Sequence, residues 1–170
     1  GYSAGGYGAL NFALERPELF AAVAALSPAS YAPLPPRNST AWRHPSFIND
    51  QGRFDRELWQ NLNYTNYLEE YRLRVTPRGT EDEGDLSPVP LYISAGRSDV
   101  YDAEFHARIL RQAMERIQPN DVRLDLYPGG HTWKVWRASL PAALNFLFQY
   151  VGQENSPVVE TNRAEDEQHT

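Results

Sequence analysis

Gly1-Tyr2-Ser3-Ala4-Gly5-Gly6-Tyr7-Gly8-Ala9-Leu10 opens the chain and places a serine between glycines at the mouth of a helical pattern. Gly1, Ser3 and Gly5 form Gly-x-Ser-x-Gly. That pattern suits a serine on a sharp turn between a strand and a helix, where glycines let neighbouring backbone approach without a Cβ in the way. A helix starting at once would aim its first N–H groups and the positive end of its dipole at a reacting oxygen, which makes the backbone N–H of Ala4 a candidate oxyanion donor. Ala9, Leu10, Ala13 and Leu14 recur at helical spacing, and Arg16-Pro17 ends the run, since proline disfavours helix in the residue before it. Alone the pattern is modest: with glycine near 7% and serine similar, chance supplies it in a chain this long roughly one time in twenty. The bland alternative is a glycine-rich turn at a helix start, so the rest of the chain must decide.

Working outward, residues 20–26 form a near-continuous apolar run bounded by Ser27-Pro28, as expected of a strand buried on both faces of a parallel sheet. From about 28 to 88 the pattern dissolves into prolines, polar residues and scattered aromatics, which reads as an insertion with short helices over 55–62 and 66–73. Its end, 76–85, is glycine-rich and acidic and reads as a mobile loop. Residues 89–95 predict a central strand, followed by a turn at Gly96-Arg97-Ser98-Asp99. Phe105, Ile109, Leu110, Ala113, Met114 and Ile117 then share one helical face, with Asp102 as N-cap and Pro119-Asn120 as the stop. Residues 122–127 alternate as a strand with one wet face, and Pro128-Gly129-Gly130 turns the chain. A last helix carries Trp133, Trp136, Leu140, Leu144, Leu147 and Val151, with a fresh start at Pro141 after a Ser139 cap. Beyond Gly152 the chain is polar and acidic and reads as a disordered tail. Helix, strand, insertion, strand, helix, strand, helix is the alternation of a parallel sheet covered by helices, so the class is α/β, with one domain over 1–151.

Composition removes several function classes. With 170 residues, 41% hydrophobic and 22% charged, the chain supports one folded core. A net charge of −6 and no basic stripe argue against nucleic acid as a partner. The absence of cysteine excludes disulfides, thiolate nucleophiles and cysteine-held zinc, but does not fix the compartment. No apolar run approaches the roughly 18 residues of a membrane span. The chain starts on Gly1 without an initiator methionine and reads as a fragment.

A nucleophilic serine needs a base, and the base needs a group to hold its tautomer. Of the four histidines, His169 is in the tail, His44 is in the insertion, and His106 sits at a helical position suited to packing or the surface. His131 follows a predicted strand on a glycine-rich loop, at the carboxyl edge of a parallel sheet where ligands gather. For the acid, Asp99 and Asp102 both follow the central strand; Asp99 is in the loop itself, whereas Asp102 has a competing task as a cap. Ser3, Asp99, His131 then runs nucleophile, acid, base, the order of α/β-hydrolases and not of the chymotrypsin or subtilisin types. Trp133 and the insertion's aromatics are candidates to wall a pocket, with Tyr2 beside the serine as a further candidate substrate contact. Simple packing is their bland alternative. His44, His106 and His131 lack the close spacing of zinc ligands, so neither a metal nor a cofactor is expected.

At these residues the chain resembles the esterase family of α/β-hydrolases that includes feruloyl esterases, S-formylglutathione hydrolases, enterochelin esterases and antigen 85 mycolyltransferases. The carriers are the opening ten residues, Arg16-Pro17-Glu18-Leu19-Phe20, Gly96-Arg97-Ser98-Asp99, and Gly129-Gly130-His131-Thr132-Trp133-Lys134-Val135-Trp136. The resemblance implies a Ser3–Asp99–His131 triad acting on a small-molecule ester through an acyl-enzyme. It also implies that a preceding half, with a second oxyanion donor, lies outside this sequence. Acyl transfer to an alcohol on the same triad, or a binding module that keeps the fold without turnover, are the alternatives.

Overall fold

The computed structural model describes residues 1–76 and 86–151; nearly all of the expected loop over 76–85 and the expected tail beyond Gly152 lie outside the described residues. Helix α1 (Ala4–Glu15) leads through a short 3₁₀ turn, Pro17–Leu19, into strand β1 (Val23–Leu26). The insertion carries 3₁₀ turns at Thr40–Arg43 and Pro45–Phe47, then α2 (Arg56–Asn61) and α3 (Tyr64–Arg74). Strand β2 (Leu91–Gly96), α4 (Ala103–Glu115), β3 (Val122–Tyr127) and α5 (Trp133–Phe148) complete the fold.

The three strands form a parallel sheet in the order β1-β2-β3. Gly1 to Ser3 add a fourth parallel track on the outer side of β1: Tyr2 bridges Leu26, and the backbone N–H of Ser3 donates to the Leu26 carbonyl at 2.9 Å. Every residue of β1 and β2 is buried, which is why both read as unbroken apolar runs. Val23 and Ala25 of β1, with Leu91, Ile93 and Ala95 of β2, face a core built with α1, α3 and α4. Ala24, Leu26 and Tyr92 face the other way, onto Trp136, Ala143 and Phe146 of α5.

The element order is as read from the sequence; the differences have local causes. Strand β2 starts at Leu91 instead of 89 because Pro88 and Pro90 have no N–H for the ladder. The intervening Val89 N–H goes to the Tyr71 hydroxyl at 2.8 Å. With no partner N–H ahead of Leu91, β1 is also short, beginning at Val23, whose N–H reaches the Pro90 carbonyl at 2.9 Å. Asp102 stands at the N-cap position of α4 but does not cap it: it is left-handed at φ 54° and its side chain makes no cap bond. Phe105 is 60% exposed, whereas Leu110, Met114 and Ile117 of the expected face are buried in the core with the sheet together with Ala103 and Ala107, and His106 is buried against Tyr31 and Ala32. Helix α5 runs straight through Pro141, and Ser139 is no cap; its hydroxyl donates back to the Trp136 carbonyl at 3.1 Å. The buried stripe Val135, Trp136, Ser139, Ala143 and Phe146 spans the proline, and its packing outweighs the intrinsic cost of proline within a helix.

Glycine matters most where β2 ends. A Cβ on Gly96 would lie 2.4 Å from the Gly129 carbonyl oxygen and 2.8 Å from that of Gly130, both backbone atoms that cannot swing aside. Gly8, on the open side of α1, has nothing within 4 Å of such a Cβ. Gly96→Ala is therefore expected to lower stability by about 1–3 kcal/mol through overpacking. Gly8→Ala should raise it by about 0.5–1 kcal/mol through a stiffer unfolded chain. Urea denaturation of the two variants checks both signs.

His106 is buried, and its Nδ1 accepts the Ala32 N–H at 3.3 Å, so the ring is held neutral. Burial lowers its pKa from the usual 6.5, against a smaller opposing effect of Asp102. A histidine whose folded pKa is depressed stabilises the fold above its unfolded pKa, and that contribution is lost as pH falls below about 6.5. The acid limb of stability against pH should be shallower in His106→Gln than in wild type, measured by urea unfolding between about pH 7 and 5.

Candidate active site

Each candidate side chain stands on the segment that follows a parallel track. Ser3 follows the Gly1–Ser3 track and precedes α1, with φ 50° and ψ −122°, a conformation that non-glycine residues adopt only under strain. Its neighbours make the turn fit. A Cβ on Gly1 would fall 2.2 Å from the Gly5 carbonyl oxygen, and one on Gly6 would press on Pro28 Cα at 3.1 Å. Gly5 itself has open space around it, so the second close approach belongs to Gly6 and not, as the motif suggests, to Gly5.

Asp99 lies in the turn after β2, and His131 in the turn after β3. Ser98 N–H donates to the Gly129 carbonyl at 2.9 Å, tying the two turns together, and Gly129 takes φ 123°. The result is a row: Ser3 Oγ lies 2.8 Å from His131 Nε2, and His131 Nδ1 lies 2.7 Å from Asp99 Oδ2. The Asp99 side chain has 0% exposure and that of His131 12%. The other Asp99 oxygen, Oδ1, accepts the Tyr101 N–H at 2.9 Å. An ionised carboxylate only accepts hydrogen bonds, so Nδ1 of a neutral His131 carries the hydrogen and Nε2 is left to accept from the Ser3 hydroxyl. Such a row can draw a proton from serine and steady the imidazolium that results.

Ser3, Ala4 and His131 line a cavity of about 700 Å³. Tyr7 of α1, Tyr31, Phe47 and Trp59 of the insertion, and Tyr101 form its aromatic walls. The wall is tied down: Trp59 Nε1 donates to the Pro33 carbonyl at 3.1 Å, and Asn63 Nδ2 to the Tyr31 carbonyl at 2.5 Å. Tyr7 packs edge-on to Phe47 and stacks on Trp59, while its hydroxyl and Asn11 Nδ2 both donate to the Leu62 carbonyl, fastening the insertion to α1. Burial pushes the Tyr7 phenol up to about 12, and burial, with the Asp99 charge second, also raises that of Tyr31.

Tyr2 and Trp133 are not among the residues lining this cavity. They meet each other at 4.8 Å between ring centroids and both lie against Trp136. Asp102 is exposed, and the place beside His131 Nδ1 is taken by Asp99. His44 does line the cavity, with Nδ1 accepting the Ser46 N–H at 3.2 Å, whereas His106 is buried elsewhere. Of the two rings that stand perpendicular to the imidazole of His131, Trp136 enters the sequence reading only as a residue of the last helix and of the Gly129–Trp136 stretch that carries the resemblance, and Tyr101 has no role in it.

A family model described as "Putative esterase" matches residues 1–147. The chain belongs to that family. Among solved structures, this esterase-family chain is similar to a ferulic acid esterase, with 20% identity and a TM-score of 0.60 over 88% of this chain and 49% of the other. It is similar to S-formylglutathione hydrolase from Staphylococcus aureus, with 22% identity, a TM-score of 0.55, and coverage of 86% and 49%. The S-formylglutathione hydrolase from Agrobacterium tumefaciens gives 18%, 0.53, and coverage of 89% and 48%. At these identities the likeness is one of fold, the α/β-hydrolase fold, and the chain spans about half the length of each of these proteins. No curated protein sequence matches it significantly.

The Leu62 carbonyl keeps one donor if the Tyr7 hydroxyl is removed. Tyr7→Phe should therefore cost about 0.5–1.5 kcal/mol, the net worth of one hydrogen bond. Loss of both donors in the Tyr7→Phe, Asn11→Leu pair should cost more than the sum of the two single changes, as a double-mutant cycle in urea can measure.

Proposed function

We propose that the protein is a serine ester hydrolase that works by two-step acyl transfer at Ser3. The observation that carries this reading is the unbroken row from the Ser3 hydroxyl through His131 to a carboxylate with no solvent exposure, opening on one cavity. The family's description as an esterase and the fold shared with a ferulic acid esterase support the same chemistry.

Ser3 Oγ attacks the ester carbonyl while His131 Nε2 takes its proton. The carbonyl oxygen becomes an oxyanion facing the first turn of α1, where N–H groups have no intrahelical partner, and the Ala4 N–H donates to it. Collapse of this tetrahedral species breaks the bond to the alcohol, which leaves with the proton from His131, and the acyl group remains on Ser3. Water then attacks the acyl-enzyme with His131 again as base, and the carboxylic acid departs. Asp99 holds the Nδ1–H tautomer and stabilises the imidazolium in both steps. The aromatic walls suit a small organic ester with an apolar acyl or alcohol part.

The test uses the protein at its natural length and p-nitrophenyl acetate. Wild type should release a burst of nitrophenol equal to the enzyme present, and Ser3→Ala should abolish both burst and turnover. Asp99→Asn, which leaves the shape but permits the wrong tautomer, should lower kcat about 1,000- to 10,000-fold. Full turnover by Ser3→Ala would falsify the mechanism.

A further inference from the structure

Two hydrogen bonds fix the ends of the His131 imidazole but not its flanks. The ring hangs from Gly129-Gly130, the most permissive backbone near the site, and the terminal torsion of histidine is broad. Lateral support must come from neighbouring side chains. Tyr101 stands at 4.9 Å between ring centroids with an interplanar angle of 89°. Trp136 stands at 5.1 Å, also at 89°. Both are the perpendicular arrangement that aromatic pairs favour.

We propose that Tyr101 and Trp136 are positioning residues that clamp the imidazole of His131 in the Ser3–Asp99 line, and that Tyr2 and Trp133 brace Trp136 and do not contact the substrate. The proposal rests on the ester-hydrolase reading and adds to it the groups that aim the base. Each clamp is anchored to a member of the row or its neighbour. Tyr101 donates its backbone N–H to Asp99 Oδ1 at 2.9 Å, so the acid and the clamp move together. Trp136 donates its backbone N–H to the carbonyl of Thr132, next to the base, at 3.2 Å. Tyr101 also lines the cavity, whereas Trp136 is absent from its lining and is buried among α5, Tyr2 and Trp133. Tyr2 precedes Ser3, and Trp133 follows His131 by two residues. The cluster of the Tyr2, Trp133 and Trp136 rings, each pair 4.6–5.2 Å apart between centroids, therefore links the segment that carries the nucleophile to the segment that carries the base, and a shift of either is transmitted to the other.

A clamp acts on the rate of the chemical step and leaves substrate affinity alone. In the natural-length protein, Trp136→Leu should lower kcat for p-nitrophenyl acetate, and the labelling rate of Ser3 by a fluorophosphonate, about 10- to 100-fold, the cost of a displacement near 1 Å. KM should change less than about twofold. Trp136→Phe, which keeps a ring, should recover most of the loss. In the ring proton NMR spectrum, the downfield Nδ1–H resonance of His131 should broaden in the leucine variant and return in the phenylalanine one. Tyr101→Leu, on a loop, decides the matter if Trp136→Leu does not fold: since Tyr101 also lines the cavity, the readouts are its maximal labelling rate at saturating probe, which should fall by a similar factor, and the His131 Nδ1–H resonance, which should broaden, with both restored in Tyr101→Phe. Wild-type labelling rates in folded Trp136→Leu or Tyr101→Leu overturn the clamp and leave the hydrolase reading standing. A higher KM at unchanged kcat in Trp136→Leu or Tyr2→Leu overturns it in favour of substrate contact. A wild-type protein that the probe does not label overturns both.

Discussion

The Ser98 N–H meets the Gly129 carbonyl at 2.9 Å, and Gly96 has no side chain where that loop crosses it; this contact sets how far Asp99 stands from His131. Hydrogen bonds between side chains need a donor–acceptor distance of about 2.7–3.2 Å and good alignment, and a misplacement near 1 Å removes most of their value in a site, so a site made from separate loops needs the loops fixed to each other first. The sheet does the coarse work. Parallel pairing of Gly1–Ser3, β1, β2 and β3 brings the ends of four tracks to one edge, and the backbone contact between the two turns does the fine work.

The site is costly to the fold. Ser3 and Ser27 both adopt positive φ, and Ser27 Oγ, Ser94 Oγ and Trp136 Nε1 are buried without a hydrogen-bond partner among the described residues. Asp99 places a carboxylate where its side chain has no exposure. These costs are offset by layers on both faces of the sheet, with Leu10, Leu14, Ile93, Leu110 and Met114 on one and Tyr92, Trp136 and Phe146 on the other. The same α5 that covers the second face also delivers Trp136 to the flank of His131, so stability and site geometry share a helix.

Much of this was legible in the sequence, and the reasons are particular. Buried parallel strands read as apolar runs, so β1 and β2 were found, while their ends depended on Pro88 and Pro90 removing ladder donors. The parts of the candidate site carried by loops after strands were legible because glycines mark those loops: Gly1 and Gly5 around Ser3, Gly96 before Asp99, and Gly129-Gly130 before His131; that Gly6 and not Gly5 makes the second close approach was not. What sequence could not give was which aromatic ring goes where. Tyr2 and Trp133 flank the serine and the histidine in sequence and suggest substrate contacts, but their rings turn onto Trp136. Tyr7, Phe47 and Trp59 come from three separate segments, and only the packing of the insertion against α1 brings them to one wall. On α4 the expected face holds at Leu110, Met114 and Ile117 and fails at Phe105, which is exposed while its neighbour His106 is buried against Tyr31 of the insertion, a contact that a hydrophobic count does not see.

A buried carboxylate is the member of the row with least freedom to be replaced. Removing water from a carboxylate costs several kcal/mol unless donors meet it, and here one oxygen is met by the Tyr101 N–H and the other by His131. The imidazole thus has two tasks that depend on one orientation: it answers the buried charge with Nδ1–H and presents Nε2 to Ser3. Because both ends are committed, any rotation that frees the base for an alternative partner also strands the carboxylate. On the proposed mechanism, the fold therefore ties the protonation pattern that attack by Ser3 would need to the state of lowest electrostatic cost, and that tie is established before any substrate arrives.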